Sequence, residues 1–155
     1  MQMNTIGDST SLVFETCLLL VRHFRNIMTL SPTGHGFNSR IFSYALHPEI
    51  NFVFAGRSTT LRDGERGYPE HVVPCAYMIK QIQRLIKEGR MSERDMASLL
   101  QKHWKIALIA PEEQKELDSK NGKGWKDTMP ADWTFESGHT FARLEGAGIC
   151  LVPAT

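Results

Sequence analysis

The stretch from Glu70 to Leu117 constrains the fold more than any other part of the chain. It opens with Glu70-His71-Val72-Val73-Pro74, where two adjacent valines favour a short strand and the proline stops it. Met78, Ile79, Ile82, Leu85 and Ile86 then recur at helical spacing, and Gly89 stands where a helix would end. Ser92-Glu93-Arg94-Asp95 has the form of a capping box opening a second helix, with Met96, Leu99, Leu100 and His103 on its apolar face. Ile106–Ala110 reads as a buried strand. Pro111-Glu112-Glu113 starts a further helix, since proline suits the first position and carboxylates suit the positive end of the helix dipole. Short strands separated by helices in this order make the chain α+β, with few strands.

The other segments hang on this block. At 155 residues the chain fits one compact domain. It divides into an N-terminal helix and strand region (1–56), the block just described with its leading loop (57–120), and a C-terminal cap (121–155). The 41% hydrophobic and 23% charged content is that of a globular chain and argues against a disordered or fibrous one. Ser11–Met28 is apolar, but Glu15, Arg22, His23 and Arg25 interrupt it and Asp8 precedes it. A buried helix is therefore expected there, rather than a membrane span or a signal peptide. Ser31–Gly36 is expected to be a loop, and Ile41–Leu46 is open between helix and strand. Asn51–Gly56 has the composition of a strand, Phe141–Leu144 of a short helix and Ile149–Val152 of a last strand. Cys17, Cys75 and Cys150 are scattered, with no paired framework, which points to buried thiols and a reducing cytoplasm.

Glu70 and His71 place an acid beside an imidazole, a pairing suited to acid–base or metal-assisted hydrolysis. On a regular strand neighbours point to opposite faces, so the two share a site only at a bulge or a strand end. Glu70-His71-Val72-Val73-Pro74, followed by Ile106 to Gln114, resembles the ββα-metal (HNH) endonucleases. The resemblance implies a ββα-metal-like segment, here interrupted by a helical hairpin, in a small single domain. It implies Glu70 as a metal ligand, His71 as general base, and further ligation at the helix start by Glu113 or Gln114. The orienting asparagine of that family falls near Lys105, with His103 two residues before it. The implied cofactor is a divalent metal (Mg, Mn, Ni or Zn), the alternative being none, and the implied reaction is hydrolysis of DNA phosphodiesters.

Net charge is +1, so nucleic-acid contact would need a local patch. Arg57, Arg62 and Arg66 before the motif, and Lys115, Lys120, Lys123 and Lys126 after it, are the expected phosphate contacts, together with Lys105. His35, His47 and His139 lack zinc-ligand spacing, and Gly64-Glu65-Arg66-Gly67 lacks the lysine of a phosphate loop. Cys75, after Pro74 at a helix start and four residues from His71, is a conceivable nucleophile. The expected function is thus an HNH-like nucleic-acid-interacting protein and metal-dependent endonuclease. Its alternative is a non-catalytic inhibitor of the phage or plasmid type that blocks a host protein or nucleic-acid site. Expected partners are nucleic acid or a nucleic-acid-processing protein, no membrane, and a second copy through the N-terminal helix.

Overall fold

The computed structural model describes residues 6–31 and 37–154. The expected loop at 32–36, including His35, lies outside them. Among the described residues, seven helices and four strands follow in the order α1 (Ile6–Leu30), α2 (Ile41–Ala45), α3 (Ile50–Val53), β1 (Phe54–Ser58), β2 (Tyr68–His71), α4 (Cys75–Glu88), α5 (Glu93–His103), β3 (Ile106–Ile109), α6 (Pro111–Asp118), α7 (Ala142–Gly146) and β4 (Leu151–Pro153). The fold is α+β.

The strands form one mixed sheet in the order β2-β3-β1-β4. β2 runs antiparallel to β3 in unbroken register, from Tyr68 opposite Ile109 to His71 opposite Ile106. The α4–α5 hairpin fills the connection between them, and α6 follows β3 and packs against β2. The interrupted ββα segment is therefore present. β2 stops at His71, before the two valines expected to carry it. Val72 donates one more backbone bond to the Lys105 carbonyl at 2.9 Å, and Pro74 has no N–H to continue the ladder. The valines instead pack into the two cores on either side of the sheet: Val73 beneath α1, α4 and α5, and Val72 beneath α6 and α7.

The strand expected at Asn51–Gly56 is split. Ile50–Val53 forms a helical turn that buries Val53, and extended pairing begins only at Phe54. Gly56 lies at φ +145°, and a Cβ there would collide with the Val152 carbonyl, so only glycine lets β4 approach β1 this closely. Gly89 ends α4 in the left-handed conformation at φ 68°. Ser92 caps α5 by accepting from the Asp95 N–H at 3.0 Å.

α1 is longer than Ser11–Met28 and spends its apolar face internally. Val13, Cys17, Leu18, Leu20, Val21 and Phe24 are buried against α4 and α5. Leu12, Leu19 and Leu30 are left exposed. Among the described residues no helix is long and apolar enough to cross a membrane. The cysteines are free; Cys17 and Cys75 are buried as expected, but Cys150 is exposed.

His103 is fully buried and pins the C-terminal cap to α5. Its Nε2–H donates to the Phe135 carbonyl at 2.8 Å, leaving Nδ1 to accept the Thr140 hydroxyl at 2.9 Å. Burial lowers its pKa from 6.5 to about 4, because the charged ring would lose its hydration. The neutral ring is the folded form, so its full contribution to stability is present above pH 6.5. That contribution is lost as pH falls toward 4, by about 3 kcal/mol in all. Urea midpoints at pH 7 and pH 4.5 should therefore differ more for the wild type than for His103→Gln. Equal differences would refute the assignment.

Candidate active site

The end of the edge strand β2 opens into a polar cleft of about 530 Å³, whose walls include Arg40, Glu49, Tyr68, Glu70, His71, Cys75, Asp118 and Lys126. Glu70 and His71 point to opposite faces of the strand, as regular pleating requires. Because they sit at the end of an edge strand, the cleft reaches both. No bulge is needed.

On one side of β2, His71 Nε2 lies 2.8 Å from Glu49 Oε2. The same carboxylate oxygen accepts the indole N–H of Trp104 at 2.6 Å. Glu49 directly precedes α3 and is almost wholly buried, and Trp104, which caps α5, is fully buried with its ring edge-on to Phe42. An acceptor-only carboxylate facing Nε2 fixes the proton on that nitrogen, so Nδ1 carries the lone pair. Nδ1 has no hydrogen-bond partner among the described residues, and the His71 side chain keeps 31% of its exposure. The family's orienting asparagine would fall near Lys105; the group that holds the His71 ring is instead Glu49, distant in sequence but bonded to Trp104 beside Lys105. Lys105 itself is half-buried, and burial pulls its pKa down.

On the other side of β2, Glu70 Oε1 accepts from Arg143 at 2.9 Å. Arg143, on α7, is fully buried and also donates to the His71 carbonyl at 3.1 Å and the Trp125 carbonyl at 2.7 Å. Asp118, the last residue of α6, approaches the same guanidinium nitrogen at 3.5 Å. Its other oxygen accepts the Gln114 amide. Burial raises the Glu70 pKa above its usual value; Arg143 opposes this, and the nearby Asp118 charge adds to it.

The residues expected to hold a metal are thus divided. Glu113 is turned away, accepting from Ser58 and Thr60 hydroxyls at 3.0 Å each and from the Ala110 N–H at 2.9 Å. Gln114 serves Asp118, and Glu70 serves Arg143. Glu70, Glu113 and Gln114 do not fit one divalent ion as a set. Among the described residues no three His, Cys, Asp or Glu side chains converge as metal ligands.

The expected phosphate contacts are also redistributed. Arg57 is used structurally, donating to the carbonyls of Arg62 and Glu65 at 3.1 and 2.9 Å, and Arg62 faces Glu65 at 4.0 Å. Arg66 and Lys115 are exposed on other surfaces, and none of Arg57, Arg62, Arg66, Lys105 and Lys115 lines the cleft. Lys126 does, and so does Arg40, which the sequence did not single out. Neither side chain has a partner among the described residues, whereas Glu49 and Glu70 are already paired. Asp127 beside them is exposed and tempers the positive charge. His103 is a structural core residue with no access to the cleft. Cys75 lines the cleft but is no activated nucleophile: burial, with the charges of Glu49 and Glu70, pushes its thiol pKa upward.

Comparison with family models, with curated proteins and with solved structures gives no significant match to this chain.

Proposed function

We propose that this chain is an HNH-like nucleic-acid-interacting protein that hydrolyses phosphodiesters in the cleft at the end of β2, with His71 as general base. The observation that carries this reading is the fixed imidazole. His71 ends the first strand of a ββα unit, with Nε2 held by buried Glu49 and Nδ1 left free at the cleft wall. In that role Nδ1 takes a proton from the attacking water, and the Glu49 carboxylate stabilises the imidazolium that results. Arg40 and Lys126 supply two uncommitted cations for the flanking phosphates, and exposed Tyr68 offers a ring on which a base can stack. Dependence on a divalent metal rests on the sequence resemblance alone. Three free cysteines suit a reducing, cytoplasmic setting.

A second reading, a non-catalytic inhibitor or interaction protein, is favoured by one observation. The guanidinium of Arg143 already neutralises the carboxylates that would serve catalysis. Plasmid nicking assays separate the two. The catalytic reading expects nicking in magnesium, manganese or nickel buffer, reduced about 10²–10⁴-fold in His71→Ala. The non-catalytic reading expects no nicking and nucleic-acid or protein binding that EDTA leaves intact. Equal nicking by wild type and His71→Ala rules out His71 as the base.

A further inference from the structure

α4 buries Cys75, Met78, Ile79, Ile82 and Leu85 and turns Ala76, Lys80, Gln83 and Lys87 outward, the i, i+4, i+7, i+11 spacing of one helix face. Glu88 is the only acid on this helix, and Arg84 holds both it and Glu136. The outward face is continuous with the cleft at the end of β2. Ser39 and Ala76 line that cleft and also a second hollow of about 430 Å³. Lys80 and Gln83 line the second hollow and a third, of about 450 Å³, that extends to Lys87. Asp118, Lys126 and Asp127 likewise join the cleft to a hollow of about 580 Å³ that reaches Lys80, Lys120 and Tyr77. Arg40, Lys80, Lys87, Lys120 and Lys126 are exposed along this surface, and none has a side-chain partner among the described residues. Of the acids lining the same hollows, Asp127 alone is unpaired. Glu49, Glu70, Glu88 and Asp118 are held by Trp104, Arg143, Arg84 and Gln114. The uncommitted charge here is therefore positive, although the chain as a whole carries only +1.

We propose that this strip, from the cleft along α4 to Lys87, binds the phosphodiester backbone of a nucleic acid. Lysine meets a phosphate as a point charge and carries no base code, so the strip grips the backbone without reading sequence. Lys80 and Lys87 stand seven residues apart, about 10 Å along the helix axis. That is a span of about three phosphates on one strand of a duplex. An acidic protein segment would meet the same lysines. A nucleic acid also suits the end of the strip, where the cleft offers the exposed Tyr68 ring to a base and the unpartnered Nδ1 of His71 to a phosphate. The inference rests on the nucleic-acid half of the proposed function and is independent of hydrolysis. It moves the phosphate surface from Arg57, Arg62, Arg66 and Lys115 to α4.

The test is binding in EDTA, read apart from nicking. A fluorescein-labelled DNA oligonucleotide, as a single strand and as a duplex, reports affinity by anisotropy across a salt series. The wild type should bind, with affinity falling steeply as salt rises. Lys80→Gln/Lys87→Gln should bind about 20–60-fold more weakly at about 0.1 M salt, and its plot of log K against log salt should be shallower by about 1.4–1.8. Arg66→Gln/Lys115→Gln, on other surfaces, should change neither quantity. All four side chains are exposed, so a wild-type Tm in both double variants separates lost contacts from lost fold. No binding of either DNA form overturns the proposal. So does unchanged affinity in Lys80→Gln/Lys87→Gln, or an equal loss in both double variants. Tighter binding of a polyglutamate peptide, lost in the same α4 variant, reassigns the strip to an acidic protein segment and also overturns it. A chain that binds DNA through α4 yet never nicks it upholds this inference and loses only the hydrolytic reading.

Discussion

Arg143→Met is expected to lose about 3–5 kcal/mol of folding free energy at pH 7, the usual scale for breaking a buried ion pair from one side. The substitution keeps much of the aliphatic volume, so the loss reports the polar groups rather than a cavity. Three acceptors lose their donor together, Glu70 and the carbonyls of His71 and Trp125, and Asp118 loses the positive charge 3.5 Å away. These come from β2, α6 and the loop after α6, so Arg143 ties the C-terminal cap to the ββα unit. The loss should shrink as pH falls. Burial already raises the Glu70 pKa, and without the guanidinium it rises further, so Glu70 takes up a proton and the uncompensated charge disappears. Urea unfolding at pH 7 and pH 5 measures both effects. A loss below about 1 kcal/mol at pH 7 would show that Arg143 is only loosely engaged. A loss that grows on acidification would show that the Glu70 charge is not what the substitution exposes.

What the sequence disclosed and what it hid follow one physical division. α4 with its Gly89 terminus, α5 with its Ser92 cap, and α6 with Pro111 at its start were all legible, because each signal lies within a few residues of the structure it causes. The order of β2, helical hairpin, β3 and α6 was legible because β3 is short and apolar and the hairpin's own signals mark where each strand must end. The boundary errors came where tertiary packing overrode local composition. Asn51–Val53 has strand-forming residues, yet burying Val53 from a helical turn satisfies the core. The site was legible only in its central pair. Glu70 and His71 are neighbours in sequence, but the groups that give them properties are not. Glu49 lies 22 positions from His71 and 55 from Trp104, and Arg143 lies 73 from Glu70. Nothing in the neighbourhood of Glu49 or Arg143 marks either as buried. A run such as Arg57, Arg62 and Arg66 looks like a phosphate surface because composition cannot show that one of its members is spent on its own loop.

Glu49 shows most sharply how such a distant residue decides the chemistry, and its two substitutions should separate structure from charge. Among the described residues, Glu49→Ala removes the sole acceptor of the Trp104 indole N–H and the sole partner of His71 Nε2. Stranding a buried donor costs about 1–3 kcal/mol, and the cavity adds to it, so a loss of about 2–4 kcal/mol is expected by urea unfolding. Glu49→Gln should be far milder in stability, because its amide oxygen can take the place of Oε2, which accepts from both Trp104 and His71. The ring's proton then stays on Nε2, and what is lost is the carboxylate that would stabilise the imidazolium formed in catalysis. Nicking should fall while the fold and the tautomer stand, by up to about 10²–10⁴-fold, the contribution of a general base. Long-range ¹H–¹⁵N spectra of the His71 ring check this without any substrate: Nε2–H in the wild type and in Glu49→Gln. Trp104→Phe is the complementary control, since it deletes the indole donor but leaves Glu49 opposite His71, so it should lower stability and preserve the ring's proton position. Wild-type nicking by Glu49→Gln would mean that the buried carboxylate does not support His71. The general-base assignment would then lose its physical support.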